Sequence, residues 1–143
     1  MSTGFLCPVP GAKVSSGFGP REDVFGSGAI TDHCGVDFAV SEGTPVRAAA
    51  DGVVKVAKEA GTYGNLIRLT HDGAYETRYG HLSEFAVEPG TQVRAGDVIG
   101  YSGSTGRSTG PHLHYEVRRY GKALDPMNAA AGGDLSMIPQ EAL

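Results

Sequence analysis

The stretch Gly110-Pro111-His112-Leu113-His114-Tyr115-Glu116-Val117 alternates strictly between apolar and polar side chains from residue 112 onward. Because successive side chains of a β-strand point to opposite faces, this alternation predicts a strand with one apolar face and one polar face. The polar face carries His112, His114 and Glu116. Imidazole is a common metal ligand and the usual general base near neutral pH. Taken alone, such a pair is also typical of two half-buried histidines, so its meaning depends on the rest of the chain.

Composition predicts one soluble domain rich in turns. The chain has 143 residues, of which 40% are hydrophobic and 20% charged, and these values are ordinary for a globular domain. Its 22 glycines follow no collagen-like period, which favours short strands joined by tight turns. The net charge of −4 and the scattered cations argue against a nucleic-acid partner, because no basic patch is available for phosphates.

Neither a membrane span nor a signal peptide is predicted. No apolar run approaches the roughly 20 residues that a transmembrane helix needs, and residues 1–10 lack a basic n-region and a long apolar core. The chain is therefore either made without export or trimmed from a larger exported protein. Cys7 and Cys34 are too few for a disulfide framework. A single bridge and a bystander role for Cys34 beside a metal site both remain open.

We divide the chain into an N-terminal segment (1–13), a single domain (14–128) and a C-terminal tail (129–143). Turn-forming residues predict a loop at 19–30, and a Gly/Ser/Thr-rich loop at 103–110 is expected to border a cleft. The remaining strand predictions follow alternation and β-branched content, and they cover residues 14–18, 36–40, 53–58, 65–71, 75–81 and 97–102.

Two short segments repeat each other. Residues 43–48 read GTPVRA and residues 90–95 read GTQVRA, and each is soon followed by a second turn. A glycine turn, a short strand and another turn have thus been used twice. This predicts a barrel or sandwich built from two similar hairpin units.

His33 and Asp37 form a second candidate pair. On a straight strand the two residues would lie about 13 Å apart, too far to share an ion. We therefore expect Asp37 on a strand and His33 on a curled loop before it, with Gly35 supplying backbone freedom. With one histidine of the 112/114 pair they would form the two-histidine, one-carboxylate set of a catalytic zinc site.

Two further histidines are harder to interpret from the sequence. His81 ends a predicted strand beside Gly80, where close approach of a backbone or ligand is possible, although a surface histidine would fit equally well. His71 lies in a His-Asp-Gly turn, and we expect it to be exposed to solvent.

The sequence resembles the lysostaphin/LytM-type zinc endopeptidases, which cut peptide bonds in bacterial peptidoglycan. The resemblance covers about residues 14–128 and combines the HxxxD and HxH motifs with a run of glycine signatures. The matching stretches are GFGPR (17–21), HCGVDFA (33–39), GTPVRAAADGVV (43–54), YGNLIRLTH (63–71), RYGHLS (78–83), GTQVRAGDVIGYSGSTGRSTGPHLHYEV (90–117) and LDPMN (124–128). Cys34 departs from many relatives, which carry a polar or bulky residue there.

This resemblance implies zinc held by His33, Asp37 and His114, with His81 and His112 as the catalytic histidines. One histidine would take a proton from the attacking water and the other would stabilise the oxyanion, in an order that stays open. Tyr79 or Tyr115 is a further candidate donor, although alternation puts Tyr115 on the apolar face. The implied fold is mainly β, an antiparallel sheet with a smaller second sheet, a duplicated hybrid motif and a groove lined by loops.

The implied partner is a peptidoglycan stem peptide or cross-bridge, with no nucleic acid and no membrane insertion. We expect a monomer that acts at the cell wall, in the periplasm or outside the cell, as a phage-borne lysin or a trimmed domain. Whether it cuts a D-Ala–diaminopimelate bond or a glycyl bond stays open. The alternatives are a non-catalytic LytM-like regulator, a carrier domain and a small zinc hydrolase with a different substrate. No lysine here has the flanking residues of a carrier's modified hairpin tip, and only the family resemblance argues against the different substrate.

Overall fold

The computed structural model describes residues 5–17, 19–22, 30–106, 108 and 110–126, with only the backbone described for 19–22 and 30–33. Short 3₁₀ turns lie at Gly61–Tyr63 and Asp72–Ala74. The strands are β1 (Lys13–Ser16), β2 (Gly19–Glu22), β3 (Ile30–His33), β4 (Val36–Ala39), β5 (Pro45–Arg47), β6 (Gly52–Glu59), β7 (Asn65–Thr70), β8 (Tyr75–Phe85), β9 (Gln92–Val93), β10 (Val98–Ser102), β11 (Leu113–Arg119) and β12 (Lys122–Leu124).

The strands form one large and one small antiparallel sheet. The ten-stranded sheet follows the order β1-β4-β11-β8-β7-β6-β9, with β10 pairing β5 and β8 and with β12 pairing β11. β2 and β3 form the two-stranded sheet. This architecture confirms the mainly antiparallel β fold with a smaller second sheet. Within the described residues, no helix is long and apolar enough to cross a membrane.

The apolar face of β11 lies at the centre of the core. Leu113, Tyr115 and Val117 are fully buried, as the alternation of residues 112–117 predicts. Tyr115 packs between Tyr79 and Phe38 of the flanking strands, at ring-centroid distances of 5.4 and 6.3 Å. The opposite face of β11 is therefore available for its histidines.

The N-terminal segment contributes to the same core. Phe5, Cys7 and Val9 are each at most 6% exposed, and the amide of Leu6 donates to the carbonyl of Ala49 at 2.7 Å. The proposed boundary at residue 14 stays a prediction. Cys7 and Cys34 both lie in the described part of the chain and are not disulfide-bonded.

The repeated GT segments fold in the same way. The hydroxyl of Thr44 donates to the carbonyl of Ser41 at 2.7 Å, and the hydroxyl of Thr91 donates to the carbonyl of Glu88 at 2.7 Å. The glycine before each threonine has a positive φ, 87° in the first copy and 93° in the second. Each turn leads into a short strand, β5 or β9, so the repeat in the sequence is a repeat of local structure.

Two expectations are corrected and one is not covered. The predicted loop 19–30 instead contains β2 and the start of β3, while residues 23–29 lie outside the described residues.

His71 is half-buried rather than exposed: its Nδ1–H donates to the carbonyl of Asp51 and its Nε2 accepts from the hydroxyl of Thr77, both at 2.7 Å. Gly52 leaves room for this ring, because a Cβ there would lie 2.7 Å from Nδ1. The tail 129–143 lies outside the described residues.

Candidate active site

The polar face of β11 meets the acidic residue of β4. β11 pairs with β4 so that His114 lies opposite Asp37, and it pairs with β8 so that His114 lies opposite Gly80. Nδ1 of His114 is 2.9 Å from Oδ1 of Asp37, and both residues are 8% exposed. Position 80 carries no side chain, and a Cβ there would lie 3.2 Å from the ring of Tyr63 and 3.6 Å from Cβ of His114. The ladder register thus creates a buried imidazole–carboxylate pair.

The backbone of His33 lies just before β4, the strand that carries Asp37. It is the last residue of β3, pairs with Gly19 of β2, and is separated from β4 by Cys34 and Gly35. The expectation of a curled loop at His33 is therefore wrong for its backbone, although the bend does follow at residues 34–35. The side chain of His33 lies outside the described part of the structure, so its role as a ligand stays a prediction.

His112 lies just before β11, on the same side as Asp37. Its backbone forms an isolated bridge with Gly103. Nδ1 donates to the carbonyl of Gly110 at 2.8 Å, because a carbonyl can only accept. Nε2 therefore carries the lone pair of the neutral ring, and it lies 3.8 Å from Oδ1 of Asp37.

His81 reaches the site through a bulge in β8. Between the pairs Asn65–Leu82 and Ile67–Tyr79, β7 has one intervening residue and β8 has two, so β8 contains an extra residue there. His81 also has a φ of 63°, an uncommon left-handed conformation for a non-glycine residue. Strict alternation would put it on the core face with Tyr79. Instead its ring centroid is 4.6 Å from that of His112 and 6.0 Å from that of His114.

Thr105 holds His81 in place. Its carbonyl accepts the Nδ1–H of His81 at 2.7 Å, which again leaves Nε2 without a proton. The hydroxyl of Thr105 donates to the carbonyl of Leu82 at 2.7 Å and accepts from the amide of Asn65 at 3.0 Å. Burial, together with the nearby His112 and His114, lowers the pKa of His81 to about 4, so the ring is neutral at neutral pH.

We expect Thr105→Val to lower the rate of any reaction that uses His81 about tenfold, because losing the hydroxyl loosens the carbonyl that orients His81. Thr105→Ser, which keeps the hydroxyl, should retain most of the rate. Steady-state kinetics on the two variants would check this, and equal rates for Val and Ser would contradict it. A loss caused by poor folding would instead lower the melting temperature of both variants together.

The donor set around His114 fits a divalent cation. Burial alone would lower the pKa of His114, but hydrogen bonds to Asp37, Cys34 and Glu116 raise it well above its usual value. Each ring nitrogen then carries a proton that points at a carboxylate. A cation that bound Nδ1 and Oδ1 of Asp37 would take the place of one of these protons. That His33 completes this pair to the two-histidine, one-carboxylate set typical of catalytic zinc stays a prediction.

Sequence reasoning missed the residues behind His114. Oε2 of Glu116 is 2.7 Å from Nε2 of His114 and also accepts from the hydroxyl of Tyr63 at 2.7 Å and the thiol of Cys34 at 3.1 Å. Burial would raise the pKa of Glu116, but its hydrogen bonds with His114, Tyr63 and Cys34 hold it down at about 2. The sequence does place Glu116 on the polar face of β11, and this was the feature that could have pointed to its contact with His114.

The tyrosines proposed as extra donors do not serve the site. Tyr79 and Tyr115 are both fully buried on the opposite face of the sheet. The hydroxyl of Tyr79 accepts from the amide of Ala49 at 3.0 Å and lies 2.7 Å from the hydroxyl of Thr77. Tyr63 is instead the tyrosine beside the site, with its ring centroid 5.9 Å from that of His114.

Comparison with known proteins finds relatives over most of the chain. A model of peptidase family M23 matches residues 31–126, a range that contains all five predicted site residues. DD-carboxypeptidase/endopeptidase Mpg of Neisseria meningitidis is 46% identical over 124 residues, which are 86% of this chain and 28% of that protein. The chain thus spans less than a third of the length of this curated relative.

Solved structures share the fold. A zinc-containing peptidase from Vibrio cholerae superposes with a TM-score of 0.81 at 38% identity, covering 88% of this chain and 40% of that one. The catalytic domain of lysostaphin from Staphylococcus simulans gives a TM-score of 0.73 at 39% identity, covering 81% of this chain and 90% of that one. Similarity to the lysostaphin domain therefore extends over nearly all of that domain.

Proposed function

Because the chain belongs to peptidase family M23, we propose that it is a zinc-dependent endopeptidase that hydrolyses peptide cross-links or bridges of bacterial peptidoglycan. One observation carries the proposal. His81 and His112 have committed their Nδ1 protons to backbone carbonyls, and their rings lie side by side next to the Asp37–His114 pair. Two oriented bases beside a set of metal ligands form the arrangement that peptide hydrolysis requires.

In this proposal His33, Asp37 and His114 hold the zinc. When bound, zinc supplies Lewis-acid activation of the scissile carbonyl and of the attacking water. Asp37 and His114 are already in contact and almost fully buried, so little reorganisation is needed to bring these two ligands together.

The two remaining histidines handle the protons. Nε2 of a neutral His81 or His112 can accept a proton from the attacking water, and the geometry fits either ring as the base. Once protonated, the same nitrogen can donate to the oxyanion or to the leaving amine. The lowered pKa of His81, about 4, leaves this ring uncharged at neutral pH, and it also makes the ring a weaker base than an ordinary imidazole.

The finer points of the proposal concern the substrate and the site of action. The Neisseria relative is named a DD-carboxypeptidase/endopeptidase, which makes the D-Ala–diaminopimelate bond the first substrate to test. A glycyl bridge is the second, because the sequence leaves that bond open as well. The chain would act as a monomer at the cell wall, either in the periplasm or outside the cell. Its role there would be lysis or remodelling of the wall, and an endolysin is one form of the lytic role.

Metal removal tests the function directly. We expect purified protein to contain about one zinc per chain and to solubilise purified sacculi, with activity lost on chelation and regained on adding zinc. Elemental analysis and mass spectrometry of the released peptides measure both properties, and the peptides identify the bond that is cut. A folded chain with neither zinc nor cleavage would contradict the proposal and favour the non-catalytic regulator.

A further inference from the structure

We propose that Glu116 is a positioning residue that fixes the tautomer and orientation of His114, so that Nδ1 faces Asp37 and the metal. This inference rests on the proposed function for the presence of the metal. It adds a role for a carboxylate that lies behind the ligands and takes part in no proton transfer of the reaction.

The carboxylate of Glu116 is surrounded by hydrogen-bond donors. Oε2 accepts from Nε2 of His114 at 2.7 Å, from the hydroxyl of Tyr63 at 2.7 Å and from the thiol of Cys34 at 3.1 Å. Oε1 accepts from Nε of Arg118 at 2.8 Å. The residue is 0% exposed, so these donors replace water completely. In such a setting the carboxylate can only accept, and each neighbour must donate.

The consequence for His114 follows from its two nitrogens. When a cation takes the place of the proton on Nδ1, beside Asp37, the remaining ring proton lies on Nε2, where Glu116 accepts it. A carboxylate or carbonyl that holds the second nitrogen of a metal-binding histidine fixes the ring and makes it a stronger ligand. Without this acceptor, the proton could move to Nδ1 and compete with the metal.

Local backbone packing explains why the network is so tight. A Cβ at Gly35 would clash with the carbonyl oxygen of Tyr115 and would lie 2.8 Å from Cγ of Glu116. Glycine therefore lets the backbone before β4 lie directly against β11, and this brings the thiol of Cys34 onto Glu116. A thiol is a weak donor, so Cys34 contributes least to holding the carboxylate.

Cys34, His114 and Glu116 could also be taken for a metal site of their own, since one ligand atom from each lies within 4.8 Å of the others. Hydrogen bonding argues against this. Oε1 of Glu116 already accepts from the guanidinium of Arg118, and Oε2 from the hydroxyl of Tyr63. A cation here would have to displace these hydrogens and lie beside the positive charge of Arg118.

The test is the zinc affinity of Glu116→Gln. The amide keeps the shape of the side chain but brings an NH₂ group that must face one of the donors. We expect zinc to bind 10- to 100-fold more weakly, about the loss typical of removing such a partner. Competition with a chromophoric chelator measures the affinity without reference to catalysis. Tyr63→Phe removes one donor to Glu116 and keeps the ring, and it should lower zinc affinity about threefold. It replaces Glu116→Gln as the test if that variant folds poorly.

Thr77→Val is the matched control, because Thr77 is also fully buried and hydrogen-bonded but contacts His71 and Tyr79 away from the site. It should lower stability and leave zinc affinity unchanged. Equal affinity of the wild type, Glu116→Gln and Tyr63→Phe would overturn the inference. So would a thiolate-to-metal absorption band of the cobalt-substituted protein that disappears in Cys34→Ser. A wild-type chain that binds no zinc would instead refute the proposed function itself.

Discussion

His112→Ala is expected to retain its zinc and to cleave peptidoglycan at least about 100-fold more slowly than the wild type, because a positioned acid or base contributes about that much or more. The ring of His112 is oriented by the carbonyl of Gly110 and presents Nε2 at 3.8 Å from Asp37. It is next to the ligands, but in the proposal it is not one of them. Its loss should therefore affect turnover and leave metal content alone.

His81→Ala should behave in the same way, because its ring lies 4.6 Å from that of His112. Elemental analysis and initial rates on a defined cross-linked peptide would measure both properties for each variant. His71→Ala is the matched control, since His71 is a half-buried, doubly hydrogen-bonded histidine remote from the site. Its rate should stay near wild type. Wild-type turnover in His81→Ala or His112→Ala would show that the role assigned to that residue is wrong.

The strand that carries the site could be predicted from the sequence because its pattern has a period of two. Leu113, Tyr115 and Val117 are fully buried, and the polar side chains of the stretch face the other way, as alternation requires. The pairing of His114 with Asp37 depends on ladder register between strands 77 residues apart. Spacing within each motif carries no information about that register. The ligand set of a catalytic zinc site suggested joining the two motifs, and the resemblance to a family selected His114 rather than His112. The register that places His114 opposite Asp37 comes only from the structure.

His81 shows where pattern reasoning fails for a physical reason. Its neighbour Tyr79 is a core residue, and alternation would put His81 on the same face. A bulge and a φ of 63° turn it to the other face. Bulges of this kind re-aim a side chain near functional sites and have no reliable signature in the sequence. The glycine at position 80 was a hint of irregular backbone but could not give its direction.

Thr105 and Glu116 were missed for different reasons. The carbonyl of Thr105 orients His81, and any residue supplies a carbonyl, so nothing in the sequence marks that contact. Glu116 was visible on the polar face of β11, but its role depends on Tyr63, from the turn before β7, and on Arg118, further along β11. Residues that support a site are harder to find than the ligands, because their function is defined by the groups that they contact.

Asp37→Asn is expected to weaken zinc binding by more than about 100-fold, beyond the 10- to 100-fold expected for a partner that only orients a ligand. The amide has nearly the same shape as the carboxylate. It removes the negative charge that lies 2.9 Å from Nδ1 of His114, and with it one of the three ligands of the proposed set. Cleavage should fall with the metal content rather than independently of it.

Thermal unfolding with and without added zinc separates this outcome from simple destabilisation. A ligand that binds only the folded chain raises its melting temperature, so zinc should stabilise the metal-depleted wild type but not Asp37→Asn. Asp51→Asn is the matched control: Asp51 accepts from the amide of Ala95 at 2.7 Å, remote from the site, and that variant should respond to zinc like the wild type. Full zinc content in Asp37→Asn would contradict the ligand assignment. If Asp37→Asn loses zinc and His112→Ala retains it, Asp37 serves metal binding and the neighbouring His112 serves proton transfer.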